Sequence, residues 1–235
     1  MNTRFTRLVD HDDFIIINKP SGIPMHDNER GVISLLRQQT GESDWYLCHR
    51  LDTGTSGCLC IARTAEAAAT MGALFAQTKI QKYYLALTTS RPAKKQGTII
   101  GDMKNRRQGQ HMLLKSRQNP AITQFFSYGI GQGIRGVIVR PYTGKTHQIR
   151  VAMKSIGSPI MGDGRYGGQQ SDRLYLHAWQ LGFAYQGKPV HASCLPDSGE
   201  QIAHPAVHNW LSELPAPDTL HWPRVKSLSS TGDIS

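Results

Sequence analysis

"CHRLDTGTSGCLCIAR", residues 48–63, runs from a polar bend into an apolar stretch. Within four positions it carries His49, Arg50 and Asp52; threonine and glycine then turn the chain, and "SGCLCIAR" reads as a strand. Cys58 and Cys60 lie two apart, on one face of that strand. A lone aspartate on such a bend is most often a turn-capping residue. Whether Asp52 is more than that depends on what the rest of the chain brings to it.

Outward from this stretch, strands outnumber helices. "FIIIN" (14–18), stopped by "KPSG", reads as a buried strand, and "QKYYLALTT" (81–89) alternates like one. "AITQFFSYG" and "GVIVRPYTG" look like paired strands, and "LYLHAWQLGFAYQGKPVHASCL" like a long hairpin turning at "QGKP". Helices are expected in "GVISLLRQQTG", closed by Gly41, and in "TAEAAATMGALFAQTK", with Thr64 as N-cap and Ala68, Met71, Leu74 and Phe75 on one face. "KTHQIRVAMKSIG" reads as another helix, ending at Gly157, and "HPAVHNWLSEL" as one more. Residues 92–120 are basic and broken by glycine and proline, and read as an excursion from the core carrying a hairpin or loop. The fold class expected is α/β of the α+β type: a mixed, largely antiparallel sheet with flanking helices. Residues 1–200 form the main domain, and 201–235 a C-terminal helix with a frayed Ser/Thr-rich tail.

With 235 residues, 39% hydrophobic and 19% charged, the chain can bury a sizeable core. It has no apolar run of the roughly 18–20 residues a bilayer crossing needs, and "MNTRFTRLVDHDD" lacks the apolar region of a signal peptide. A cytoplasmic, non-membrane, monomeric protein is expected. The net charge, 27 − 17 = +10, favours a polyanionic partner, of which nucleic acid is the commonest. The four cysteines form no CxxC pair and the ten histidines are scattered along the chain, so no metal site is expected.

"HRLDTGTSG" (49–57) resembles the signature of the RluA-type pseudouridine synthases. "IINKPSG" (16–22), "KYYLA" (82–86) and "RPYTGKTHQIRV" (140–151) resemble further motifs of that family in the family's order, and "GDGRYG" (162–167) and "LYLHA" (174–178) also look like family segments. The resemblance covers roughly residues 8 to 196. It implies the pseudouridine synthase catalytic fold and isomerisation of uridine to pseudouridine in structured tRNA or rRNA, without an added cofactor. Asp52 matches the catalytic aspartate. Attack at C1′, attack at C6 and proton abstraction are all open to it. Tyr84 matches the active-site tyrosine expected against the target base, with Tyr83 as the rival position. Arg150 matches the arginine that pairs with the aspartate, where a guanidinium would hold the carboxylate ionised and oriented.

RNA contacts are expected from Arg50, which matches the residue that fills the space left by an extruded uridine, and from its neighbour His49, which would also hold the loop together. Lys145 stands where the family commonly has arginine; it keeps the charge but loses the bidentate fork. Lys104, Arg106 and Arg107 of the basic excursion are further candidates for phosphate contact. Two other readings compete: an RNA-binding module without catalysis, and a carboxylate-based glycoside hydrolase. The first would be signalled by loss of the aspartate, tyrosine or arginine, and all three are present. The second needs another carboxylate placed as acid, and none is paired with Asp52 in the sequence.

Overall fold

Apolar residues on both parities of a strand require cover on both faces of the sheet, and that requirement shapes the molecule. The computed structural model describes residues 4–225. A ten-stranded sheet runs in the order β1 (Thr6–Asp10), β2 (Phe14–Lys19), β4 (Ser56–Ala62), β11 (Leu176–Tyr185), β5 (Gln81–Thr88), β10 (Ile134–Pro141), β9 (Ala121–Gly131) and β6 (Gln96–Gly101). β3 (Tyr46–Leu47) adds to β4, and β12 (Lys188–Ser193) adds to β11. Every pairing is antiparallel except β4 with β11, as the sequence led us to expect of the fold class. The hairpin turns Gln132–Gly133 and Gln186–Gly187 have positive φ at both positions, the backbone that matches strand twist.

Among the described residues, four α-helices cover the two faces. In the N-terminal half, α1 (Val32–Thr40) buries Val32 and Leu36 against Ile15, Ile17, Leu59 and Ile61. On the opposite face α2 (Ala65–Ala76), capped by the Thr64 hydroxyl, buries Met71 against Phe14, Ile16, Cys58 and Cys60. In the other half α3 (Gln148–Ser155) packs Ile149, Ala152 and Met153 onto Val137 and Val139, while α4 (Pro205–Ser212) packs Val207 and Leu211 onto Leu85, Leu87 and Ile138. The expected C-terminal helix is thus α4, seated on the main sheet. Residues 220–223 follow the same face: Leu220 joins its apolar cluster, Trp222 packs against Tyr83 and Phe126, and the Gln124 amide donates to the Pro223 carbonyl. The tail expected to fray beyond Val225 lies outside the described residues.

The basic stretch 92–120 divides. Gln96–Gly101 pairs with β9 as the last strand of the sheet, so the excursion is narrower than its composition suggested. What leaves the sheet is a small separate hairpin, β7 (Met103–Asn105) with β8 (His111–Leu113). Among the described residues no helix is long and apolar enough to cross a membrane, and no group of three or more His, Cys, Asp or Glu is arranged to hold a metal ion.

Candidate active site

β4 is parallel to β11 only at Ser56–Gly57, where the two backbones come close together. A Cβ at Gly57, whose φ is 108°, would collide with the Ala178 carbonyl oxygen, so the position needs glycine. The turn that feeds this contact carries Asp52, and the Thr55 N–H closes it onto the Asp52 carbonyl at 2.9 Å. A buried platform lies beneath. The Lys19 ammonium, with no exposed surface, donates to the carbonyls of Pro20, Ile23 and Thr53 at 2.9, 2.9 and 3.3 Å. The Ser21 hydroxyl donates to the Gly54 carbonyl at 2.7 Å. Burial, with Arg173 nearby, pushes the Lys19 amine down to about 7.

Above the turn is a cleft of about 490 Å³, lined among others by Arg50, Asp52, Lys82, Tyr84, Lys145, His147 and Arg150. It opens at the seam between the two halves of the sheet, where Tyr84 packs against both the α1-side and the α3-side clusters. α3 delivers Arg150 from 98 positions further along the chain: its Nη1 donates to Asp52 Oδ2 at 3.1 Å. The same guanidinium donates from Nε and Nη2 to the two oxygens of Asp163, both at 2.8 Å, and its Cζ lies 5.0 Å from the Tyr166 ring centroid. Burial works against the charge on Arg150. The Asp163 and Asp52 carboxylates outweigh it and raise its pKa above the ordinary value. Asp163 is 2% exposed, so it is a buried anchor rather than a second reacting carboxylate. Among the described residues, no hydrogen-bond donor meets Asp52 Oδ1. His147 Nε2 lies 4.0 Å from that oxygen.

Strand alternation separates the two tyrosines. Tyr84 turns into the cleft, whereas Tyr83 is buried on the other face beside Trp222. Burial, followed by the Asp52 charge, pushes the Tyr84 phenol well above its usual range, so it is a neutral hydroxyl at physiological pH. Lys82, two positions earlier, reaches the cleft and donates to the Thr143 carbonyl at 3.2 Å; burial lowers its amine to about 8.

The candidate RNA-contacting residues separate by position. Arg50 is exposed at the cleft. His49 points its ring inward: Nε2 accepts the Cys60 N–H at 2.9 Å, and the ring stacks on Phe75 at 4.1 Å between centroids. Burial drives its imidazole down to about 3, so it holds the loop as a neutral group. Lys145 is at the cleft, tethered to Asn119 Oδ1 at 2.8 Å. Lys104, Arg106 and Arg107 are exposed on the β7–β8 hairpin and do not line the cleft. Three cleft or anchor residues have no role assigned by the sequence: Asp163, His147 and Lys82. Each stands inside one of the family-like motifs, so the available signal was the motif and not the local pattern.

Known proteins share this family and this fold. The family model for RNA pseudouridylate synthase matches residues 13–155. An uncharacterized RNA pseudouridine synthase of Haemophilus influenzae is 49% identical over 201 residues, covering 84% of this chain and 90% of the relative. The ribosomal large subunit pseudouridine synthase C of Vibrio vulnificus is 31% identical over 219 residues, 83% of this chain and 66% of that one. Human RNA pseudouridylate synthase domain containing 1 has the same fold, with a TM-score of 0.71 at 24% identity, covering 93% of this chain and 98% of that structure. The chain belongs to the RNA pseudouridylate synthase family, in its RluA-type branch, and is an RNA pseudouridine synthase.

Proposed function

We propose that this pseudouridine synthase isomerises a uridine in the large ribosomal RNA, with Asp52 as the reacting carboxylate. The observation carrying the reading is the asymmetry of Asp52 at the cleft it lines: Oδ2 is tied to Arg150, which Asp163 holds at two further points, while among the described residues Oδ1 has no donor. The reaction breaks the N1–C1′ bond, joins C1′ to C5, and exchanges the C5 proton for one on N1. No atom is gained or lost overall. The protein must therefore supply a group for the detached sugar and a confined space in which the uracil turns. A carboxylate with one fixed and one free oxygen suits the first task. Tyr84, neutral and lining the same cleft, suits the second by stacking on the base.

Arg50 is exposed beside the cleft, where it can occupy the gap left when the uridine leaves its stack. Lys145 and Lys82 offer charge to the flanking phosphates at the cleft, and Lys104, Arg106 and Arg107 offer more from the hairpin. Residues 1–200 and α4 act as one catalytic unit, a monomer working in the cytoplasm. Choice of the ribosomal substrate rests on the name of the 31% identical Vibrio vulnificus relative. Incubating purified protein with unmodified ribosomal RNA and tRNA transcripts, followed by pseudouridine mapping, tests the reading. New pseudouridine in large-subunit RNA alone is expected; new sites in tRNA alone would replace the substrate, and none in either would remove the proposal.

A further inference from the structure

His147 belongs to the cleft but has no task in the reaction as proposed. It precedes α3 with φ 56°, a left-handed backbone that non-glycine residues seldom adopt and that the surrounding structure must impose. One edge of its ring, Nε2, lies 4.0 Å from Asp52 Oδ1. At the other edge, Nδ1 is 2.9 Å from the Tyr166 hydroxyl oxygen. That oxygen already accepts the His111 backbone N–H at 3.0 Å, so the tyrosine's own proton is available to Nδ1. A neutral imidazole that accepts at Nδ1 carries its proton on Nε2, the atom turned toward Asp52.

The surroundings keep the ring neutral. Burial lowers its pKa below the usual 6.5, Asp52 opposes this, and Arg150, His111 and Arg165 reinforce it. The rings of His111 and Tyr166 pack edge-on against His147, at 5.2 and 5.7 Å between centroids, and confine its rotation. We infer that His147 is a positioning residue for Asp52, its tautomer set by Tyr166, so that Nε2–H steers Oδ1 while Arg150 holds Oδ2. The separation of 4.0 Å is longer than a hydrogen bond, so the free enzyme leaves the Oδ1 lone pairs available to substrate. Protonation would change this. An imidazolium beside Asp52 would pair with Oδ1 and withdraw it.

The inference rests on Asp52 being the reacting carboxylate, and the test separates the two claims. Single-turnover pseudouridine formation and RNA affinity are measured for the wild type, His147→Phe, His147→Gln, Tyr166→Phe and Asp52→Asn. Phenylalanine keeps the ring packing but has no donor; it is expected to slow turnover roughly 10- to 100-fold while RNA affinity stays within about twofold. Glutamine, whose amide reaches the place of Nε2, is expected to recover most of the rate. Tyr166→Phe removes the hydrogen bond that favours the neutral ring, so the acid limb of the rate should move to higher pH; it should be missing in both His147 variants. Wild-type turnover in His147→Phe, with Asp52→Asn inactive, overturns this inference alone. So does a Gln variant as slow as Phe, with the same loss of thermal stability. Activity in Asp52→Asn overturns the reading beneath it.

Discussion

The cleft and the β7–β8 hairpin both present arginine, and use it in opposite ways. Arg150 is largely buried, and three of its nitrogens are committed to two carboxylates. Lys104, Arg106 and Arg107 are exposed, and among the described residues none forms a salt bridge. A buried charge must be matched at every donor, which fixes its geometry. A solvated charge costs little to leave free, and remains available to a partner. On the proposed reading, Arg150 serves reaction geometry and the hairpin cations serve phosphate attraction, so substitutions at the two places should have separate effects.

Arg150→Met should give the largest effect of this series. It leaves Asp163 buried and unpaired, a loss of about 3–5 kcal/mol of stability that a denaturant titration would read. Turnover should fall at least 100-fold with it. Arg150→Lys sharpens the point: a single ammonium can restore part of the stability, but it cannot bridge both carboxylates, so turnover should stay low. Wild-type turnover in the lysine variant would mean that the double bridge is unnecessary.

Arg50→Ala should come next, with a substrate-dependent loss. On a folded stem-loop the uridine must be unstacked, at a cost of a few kcal/mol, and the variant should turn over roughly tenfold more slowly. On an RNA whose uridine is already unpaired and unstacked, the loss should be slight. Equal losses on the two RNAs would make Arg50 a phosphate contact.

On the hairpin, neutralising Lys104, Arg106 and Arg107 together should leave single-turnover rates at saturating RNA unchanged. The slope of log affinity against log salt should flatten by roughly 0.7–0.9 for each phosphate that the variant no longer neutralises. An unchanged slope would detach the hairpin from RNA. The smallest effect is expected at Lys82. Its amine is lowered to about 8, so RNA affinity should weaken modestly as pH rises through that value and the charge is lost. Lys82→Met should be weaker at pH 7 and insensitive to this rise. For stability the sign is opposite: with a folded value below the usual 10.5, the cost of burying the charge is fully present below about pH 8 and fades as pH rises toward 10.5.

The sequence made much of this arrangement legible. An unbroken β-branched run marked β2, alternation marked β5, and strand-like apolar stretches marked β9, β10 and the β11–β12 hairpin, because each buries apolar residues over much of its length. The motifs named Asp52, Tyr84 and Arg150, which the fold brings to one cleft from the turn before β4, the middle of β5 and α3. β6 was harder to see. It has one partner strand, so a short "TII" in a basic, glycine-broken stretch suffices to form it. Asp163 and Tyr166 lie outside any helix or strand, and their partners Arg150 and His147 come from the start of α3. Such contacts depend on how the chain closes on itself, which no local periodicity encodes. His49 turns inward and holds the loop, while its neighbour Arg50 turns out to solvent from the same polar run, a difference that no periodicity marks.

Asp52→Asn tests the central claim most directly. The amide is nearly isosteric with the carboxylate, so the fold and RNA affinity should survive, while its nucleophilicity is lost. Pseudouridine is mapped in one RNA after incubation with equal concentrations of wild type and variant, with binding measured alongside. The account predicts unchanged binding and no pseudouridine above background with the asparagine protein. Pseudouridine formed at the wild-type rate by that protein would contradict it and assign the chemistry to another group.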